Sequence, residues 1–169
     1  GDNTFHAVDD GEADTFTGGA GIDTLNLGAL SSDIIADLST DTLTTGDSDE
    51  MTSIDNITTG SGDDTVTGTA GDNVINTGDG DDLVRGGAGN DTADYSASGG
   101  GVTVDLNLTT AQVSGGDASG DVLISIERVT GSAYTDTLTG DANANVLSGG
   151  AGDDTLAGMA GADTLDGGT

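Results

Sequence analysis

"GGAGNDTAD" occupies residues 86–94, and nearly the same nine residues stand at 18–26 as "GGAGIDTLN" and at 149–157 as "GGAGDDTLA". Cutting the chain every nine residues brings out the rest. From Thr59 four units run without a gap: TGSGDDTVT, GTAGDNVIN, TGDGDDLVR and GGAGNDTAD. From Gly131 four more follow: GSAYTDTLT, GDANANVLS, GGAGDDTLA and GMAGADTLD. DDGEADTFT (9–17) leads into GGAGIDTLN. Place six of the nine holds Asp14, Asp23, Asp64, Asn73, Asp82, Asp91, Asp136, Asn145, Asp154 and Asp163. Place eight holds Phe16, Leu25, Val66, Ile75, Val84, Ala93, Leu138, Leu147, Leu156 and Leu165.

Each place has a physical reading. Places seven to nine alternate polar, apolar, polar, the period of a strand with one buried face. Three residues are too few to stand alone. Places one to six are rich in Gly, which a tight turn with left-handed or extended backbone needs. Turn, short strand, turn, short strand makes a coil of about 18 residues, and stacking such coils satisfies the backbone hydrogen bonds. The expected fold is therefore all-β: an elongated, right-handed parallel β-roll, or β-solenoid. It would be about nine coils and on the order of 45 Å long, at about 4.8 Å per strand. Nonapeptide runs cover 9–26, 59–94 and 131–166, with spacers at 27–58 and 95–130, all within one roll. "IIADLS" (34–39) resembles "TVDLNL" (103–108), and "IDNITTGS" (54–61) resembles "IERVTGSA" (126–133), so the chain reads as an internal duplication. The spacers are expected to be coils of the same structure, with longer strands and no metal loops. Val102, Val104 and Leu106, and likewise Val122, Ile124 and Ile126, alternate as core-facing strands would.

Composition says what the roll needs. The 169 residues carry 31 Asp and Glu against two cations, a formal charge of −29, with 31 Gly, no Cys and 2% aromatic residues. Such a chain is too charged and too poor in large apolar groups to fold unaided. With no basic patch to release phosphate counterions, nucleic acid is excluded as a partner, and an anionic membrane surface is disfavoured. No apolar run is long enough to insert into a membrane. Absence of Cys fits an extracellular bacterial protein. Without a thiol, an H-E-x-x-H sequence or a phosphate loop, and with His6 as the lone imidazole, no catalytic constellation is expected and the chain reads as a non-enzyme. Multivalent cations are the natural partner. Stacking brings the carboxylates of place six close together, where they repel without a counter-ion. Calcium, a hard cation taking six to eight carboxylate and carbonyl oxygens in loose geometry, suits such turns better than magnesium or a transition metal.

Units such as GGAGNDTAD resemble the nonapeptide of the repeats-in-toxin (RTX), or hemolysin-type, calcium-binding β-roll family. "DYSASGGGVTVDLN" (94–107) with "ISIERVTGSAYTDTL" (124–138) resembles a stretch common in secreted bacterial proteins of this type. The resemblance implies a parallel β-roll with several calcium ions held between turns 18 residues apart. It also implies folding triggered by calcium, and type I secretion to the cell surface or beyond. The implied ligand pairs are Asp64 with Asp82, Asn73 with Asp91, Asp136 with Asp154, and Asn145 with Asp163; Asp14 and Asp23 are implied by the same register, and carbonyls of neighbouring turn residues complete each sphere. Asn73 and Asn145 supply an amide oxygen without charge, so weaker sites are expected there. Glu12, Tyr134 and Asn143 replace the Gly of place four; Tyr and Glu tolerate left-handed backbone poorly. Asp63, Asp81 and Asp153, at place five, are expected to face solvent and tune the field. Two roles suit such a rod. One is a structural segment of a surface-layer, adhesin or filament protein, with self-assembly or neighbouring domains of a longer chain as partners. The other is an accessory module of a secreted protease, lipase or alginate epimerase.

Overall fold

The computed structural model describes residues 1–7, 10–113 and 115–169; Asp9, the first place of the first unit, lies outside them. The described chain is built from eighteen strands of three residues each. They are β1 (Thr4–His6), β2 (Thr15–Thr17), β3 (Thr24–Asn26), β4 (Ile35–Asp37), β5 (Thr42–Thr44), β6 (Glu50–Thr52), β7 (Asn56–Thr58), β8 (Thr65–Thr67) and β9 (Val74–Asn76), then β10 (Leu83–Arg85), β11 (Thr92–Asp94), β12 (Thr103–Asp105), β13 (Val122–Ile124), β14 (Arg128–Thr130), β15 (Thr137–Thr139), β16 (Val146–Ser148), β17 (Thr155–Ala157) and β18 (Thr164–Asp166). Every nonapeptide strand falls on places seven to nine. Among the described residues the helical structure is a single 3-10 turn at Gly116–Ala118, and no helix is long and apolar enough to cross a membrane.

The strands form a parallel β-roll. One face is an eight-stranded parallel sheet in the order β1-β3-β7-β9-β11-β14-β16-β18. The opposite layer consists of three shorter sheets: β2-β6, β5-β4-β8-β10-β13 and β12-β15-β17. Place-eight residues of both layers meet in one core, with Leu25, Val66, Leu138 and Leu147 fully buried. Leu156 is only partly buried, and Leu165, on the edge strand β18, is 48% exposed. Burial of about 25 cal/mol per Å2 of apolar surface drives this stacking, and one small residue per strand makes the core thin.

The spacers correct the expectation of longer strands: theirs are also three residues long. Their path explains the breaks in the second layer. After β3 the chain enters β4, which pairs ahead with β8; it then turns back through β5, antiparallel to β4, to β6, which pairs behind with β2. The second spacer repeats this plan: β12 pairs ahead with β15, and β13 pairs behind with β10. The chain overshoots and returns in both, so the duplication extends to topology. At the second break, Gln112 serves as a substitute strand. Its side chain accepts from Asp105 N at 2.8 Å and donates to Asp105 O at 3.2 Å, while its backbone N–H donates to Asp121 O. The alternation expected for Val122, Ile124 and Ile126 is also corrected. Leu123 is the core residue of β13 and Ile124 points outward at 39% exposure, because Asp121 takes place six and sets the phase.

Candidate metal centre

Two kinds of turn join the faces. Entry turns lead into the eight-stranded sheet, and exit turns lead out of it. The place-six residue closes each turn, immediately before a strand. Stacking gives it a repeated bond: the place-six N–H of one coil donates to the place-six carboxylate of the next. In the exit column Ile34 N donates to Asp64 Oδ1 at 2.8 Å, Asp64 N to Asp82 Oδ1 at 2.7 Å and Asp82 N to Asp121 Oδ1 at 3.1 Å. Further along, Val102 N donates to Asp136 Oδ1 at 2.7 Å and Asp136 N to Asp154 Oδ1 at 2.8 Å. In the entry column Asn3 N donates to Asp23 Oδ1 at 2.9 Å, Asn73 N to Asp91 Oδ1 at 2.8 Å and Asn145 N to Asp163 Oδ1 at 3.0 Å. All four pairs expected from the sequence are thus neighbours. The bond that joins them runs from backbone N–H to carboxylate.

Four acids of these columns escaped the sequence reading. Asp49 accepts from Asp14 N, Asp55 from Asp23 N, Asp121 from Asp82 N and Glu127 from Asp91 N. Each directly precedes a three-residue strand of a spacer, and that adjacency was the available signal. The spacers therefore carry place-six acids.

One carboxylate oxygen per residue is engaged in this ladder. The other divides the residues into two groups. Oδ2 of Asp23, Asp64, Asp82, Asp91 and Asp154 is buried and has no hydrogen-bond partner. An orphaned buried carboxylate oxygen costs several kcal/mol unless a cation or proton meets it (about 1–3 for a neutral group, more for a charge). Asn73, Asp136 and Asn145 are instead satisfied within the chain. Asp136 Oδ2 accepts from Ser132 N at 2.7 Å and its Oδ1 from Ser132 Oγ at 2.8 Å. Asn73 Oδ1 accepts from Thr69 N, and Asn145 Oδ1 from Asp141 N. Their amide nitrogens donate to Asp55 O at 2.6 Å and Glu127 O at 3.4 Å.

Backbone conformation follows the same division except at Asp64, where Gly60 and Gly62 do not take positive φ. In the turns of Asp23, Asp82, Asp91 and Asp154, places two and four are Gly at positive φ, for example Gly87 at 106° and Gly89 at 125°. In the turns of Asn73, Asp136 and Asn145, place two is Thr69, Ser132 or Asp141, whose side chain accepts the N–H of place four. Place four then needs no positive φ, so Tyr134 and Asn143 sit there without strain. The steric objection to Tyr134 does not apply to this kind of turn.

Burial controls the electrostatics. It pushes the carboxyl of Asp82 up to about 8, against the hydrogen bond from Asp64 N and with the charges of Asp121 and Asp64 adding to the rise. Burial likewise raises Asp121 to about 6, and raises Asp64 and Asp91. Tyr95, buried in the core, donates from its hydroxyl to Asp121 Oδ2 at 2.8 Å. Asp14 and Asp163 are half-buried, and Asp63, Asp81 and Asp153 are exposed. Asp63 Oδ1 accepts from Asp81 N at 3.0 Å, so place five carries its own outer ladder.

The donors present fit a calcium ion. They are hard oxygens, and orphaned carboxylates lie beside carbonyls: a side chain at Gly86 would strike Asp91 Oδ2 and the Ser125 carbonyl oxygen, and one at Gly18 would strike the Asp23 carboxyl group and the Ser53 carbonyl oxygen. Among the described residues no three Asp, Glu or His side chains gather at one point, so carbonyls must supply much of any coordination sphere. The profile of the RTX calcium-binding nonapeptide repeat matches the sequence in four copies, over residues 9–29, 58–93, 125–156 and 139–169. The chain belongs to this family. Comparison with curated proteins finds no match. As RTX repeats, the nonapeptide runs bind several calcium ions. The family is generally a non-catalytic calcium-binding module, typical of secreted bacterial proteins.

Proposed function

We propose that this RTX module folds on meeting extracellular calcium and serves as a stiff structural segment of a secreted or cell-surface bacterial protein, of the surface-layer, adhesin or filament kind. The observation that carries the reading is the set of five buried carboxylate oxygens left without a partner, at Asp23, Asp64, Asp82, Asp91 and Asp154. These are the residues we assign to the ions. Bound calcium supplies the positive charge that lets these carboxylates stay ionised and buried. Asp163 and Asp14 occupy the same register without a buried, unpartnered oxygen of this kind and are assigned weaker contacts. Asn73, Asn145 and Asp136 close turns by hydrogen bonds.

The chain's own residues do the rest. The place-six carboxylates hold the N–H of the preceding coil, the Gly turns present carbonyls, and place-eight side chains exclude water between the faces. Low calcium inside a cell keeps so charged a chain loose, which suits passage through a secretion channel; high calcium outside closes it. One roll running through all of 1–169, spacers included, makes a continuous rod.

Far-ultraviolet circular dichroism of the chain after chelation, titrated with calcium against magnesium, tests the proposal. A coil-like spectrum that turns to sheet with calcium alone is expected. A sheet spectrum unchanged by chelation would end the coupled-folding reading.

A further inference from the structure

The two entry-column orphans, Asp23 and Asp91, share a setting that the repeat does not describe. Within a run, an entry turn of six residues stacks on another of six. After Asp23 and after Asp91, the next entry turn has only three: Ser53-Ile54-Asp55 between β6 and β7, and Ser125-Ile126-Glu127 between β13 and β14. The two sets match position by position. Both serines have a φ of 54°. Ile54 and Ile126 are buried in the core. Asp55 Oδ2 accepts from Asp23 N at 2.8 Å, and Glu127 Oε2 from Asp91 N at 2.9 Å. A side chain on Gly18 would strike the Ser53 carbonyl oxygen and the Asp23 carboxyl group; one on Gly86 would strike the Ser125 carbonyl oxygen and Asp91 Oδ2. Asp23 and Asp91 are fully buried, and each turns an unpartnered Oδ2 into this space.

We propose that each spacer completes a calcium site of its own: Asp23 with the Ser53 carbonyl and Asp55, and Asp91 with the Ser125 carbonyl and Glu127. This deepens the calcium reading above and rests on it. Ser53 and Asp55 lie outside the residues matched by the repeat family. The pairing with Asn73 implied by the resemblance is replaced, since Asn73 uses its amide elsewhere. A three-residue turn offers few carbonyls, and Ile54 and Ile126 fill the remaining room, so the second carboxylate supplies what the missing carbonyls would. The consequence is structural. The overshooting spacer is clamped by an ion to the run behind it, so its ordering depends on calcium although it contains no nonapeptide.

The two sites differ in charge. Arg128 follows Glu127 and lies 3.8 Å from Asp72, which places a cation at the Asp91 site, whereas the matching residue after Asp55 is the uncharged Asn56. The Asp23 site is therefore the tighter of the two.

The test uses the whole chain with calcium as the only ligand. Calorimetric titration counts ions and their affinities, and hydrogen exchange follows the amides of 53–56 and 125–128. The D55N/E127Q variant keeps acceptors for Asp23 N and Asp91 N but removes two charges. D79N/D153N removes two charges from exposed turn positions and serves as the control. We expect D55N/E127Q to lose two ions, or to bind two of them at least tenfold more weakly, with calcium no longer protecting the spacer amides. The control should keep both, and E127D should keep its site because Asp55 is the natural equivalent. Should the double variant not fold, E127Q against E127D gives the same comparison at one site. Equal ion count, affinity and spacer protection in D55N/E127Q and the control would overturn the proposal. A wild-type chain that takes up no calcium would instead sink the calcium reading beneath it.

Discussion

Asn73→Asp separates two accounts of place six. If Asn73 is a ligand weakened by its lack of charge, Asp should strengthen the site. The structure argues the reverse. Asn73 Nδ2 donates to Asp55 O at 2.6 Å and to Thr69 Oγ1 at 3.1 Å, in a buried turn. Asp is nearly the same shape but has no donor, so an acceptor would face the Asp55 carbonyl. The lost bond and the buried carbonyl left bare cost about 3 kcal/mol. If that cost is spread over five cooperatively bound ions, one for each orphaned carboxylate, it is about 0.6 kcal/mol per ion. That equals about a threefold rise in the calcium concentration at half-folding, since 1.4 kcal/mol is tenfold. Circular dichroism at fixed protein concentration reads the midpoint, and Asn145→Asp, which meets Glu127 O in the same way, should shift it in the same direction. A midpoint that falls in Asn73→Asp would refute the sealed-turn argument and restore Asn73 as a ligand.

Three further outcomes follow from particular contacts. Tyr95→Phe removes the donor to Asp121 Oδ2 at 2.8 Å and should lower stability in saturating calcium by about 1–3 kcal/mol; an unchanged melting temperature would mean that the hydroxyl contributes nothing. Met159 has a φ of 64° at place two, where Gly19, Gly87 and Gly150 also take positive φ, and it is 65% exposed. Met159→Gly should therefore stabilise the last coils by about 1 kcal/mol, seen as a higher melting temperature, and a lower one would show that the side chain packs. The pH dependence without calcium has a definite sign. Asp82 at about 8 and Asp121 at about 6 lie above the ordinary 3.8, so their neutral forms favour the folded chain. That contribution is complete below 3.8 and is lost progressively as pH rises, by about 6 for Asp121 and by about 8 for Asp82. In chelator, sheet content should therefore rise on acidification from pH 8 to pH 4, with the proton doing part of the work of the cation. Sheet lost over the same interval would contradict the burial argument.

Much of this fold was legible because the repeat states it twice. Place eight named the core residues, and place six named the columns at the turns, down to the 18-residue pairs Asp64–Asp82 and Asp136–Asp154. What the sequence hid was how each side chain is satisfied. Asp136 looks like Asp154 in the register, yet Ser132 occupies both of its oxygens and Gly150 leaves Asp154 Oδ2 bare. That difference lies in place two, where Ser, Thr or Asp folds its side chain back onto the turn and Gly cannot. The spacers were harder. Their turns do not keep the six-residue spacing of the nonapeptide, so Asp121 before Val122 did not read as place six, and the phase of β13 slipped by one residue.

The Asn residues of place six show what the duplication preserved. Asn73 lies 18 residues after Asp55, and Asn145 lies 18 residues after Glu127. In both cases the preceding entry turn is the short one. Asp55 N and Asn56 N both donate to Asp23 O, and Glu127 N and Arg128 N both donate to Asp91 O. The place-six N–H of the short turn is thus spent on the coil behind it and is not available to the coil ahead. What it presents forward is a carbonyl. A carboxylate at the next place six would face that carbonyl with no proton between them, whereas an amide supplies one. The change from Asp to Asn is therefore imposed by the spacer turn, and it marks where one stretch of place-six acids ends and the next begins. The acidic residue of the short turn, Asp55 or Glu127, reaches backwards to accept the N–H of Asp23 or Asp91, the orphan-bearing residue of the run it closes. Two features that look like irregularities in the nonapeptide, an amide at place six and a short entry turn without Gly, are then the two sides of one joint.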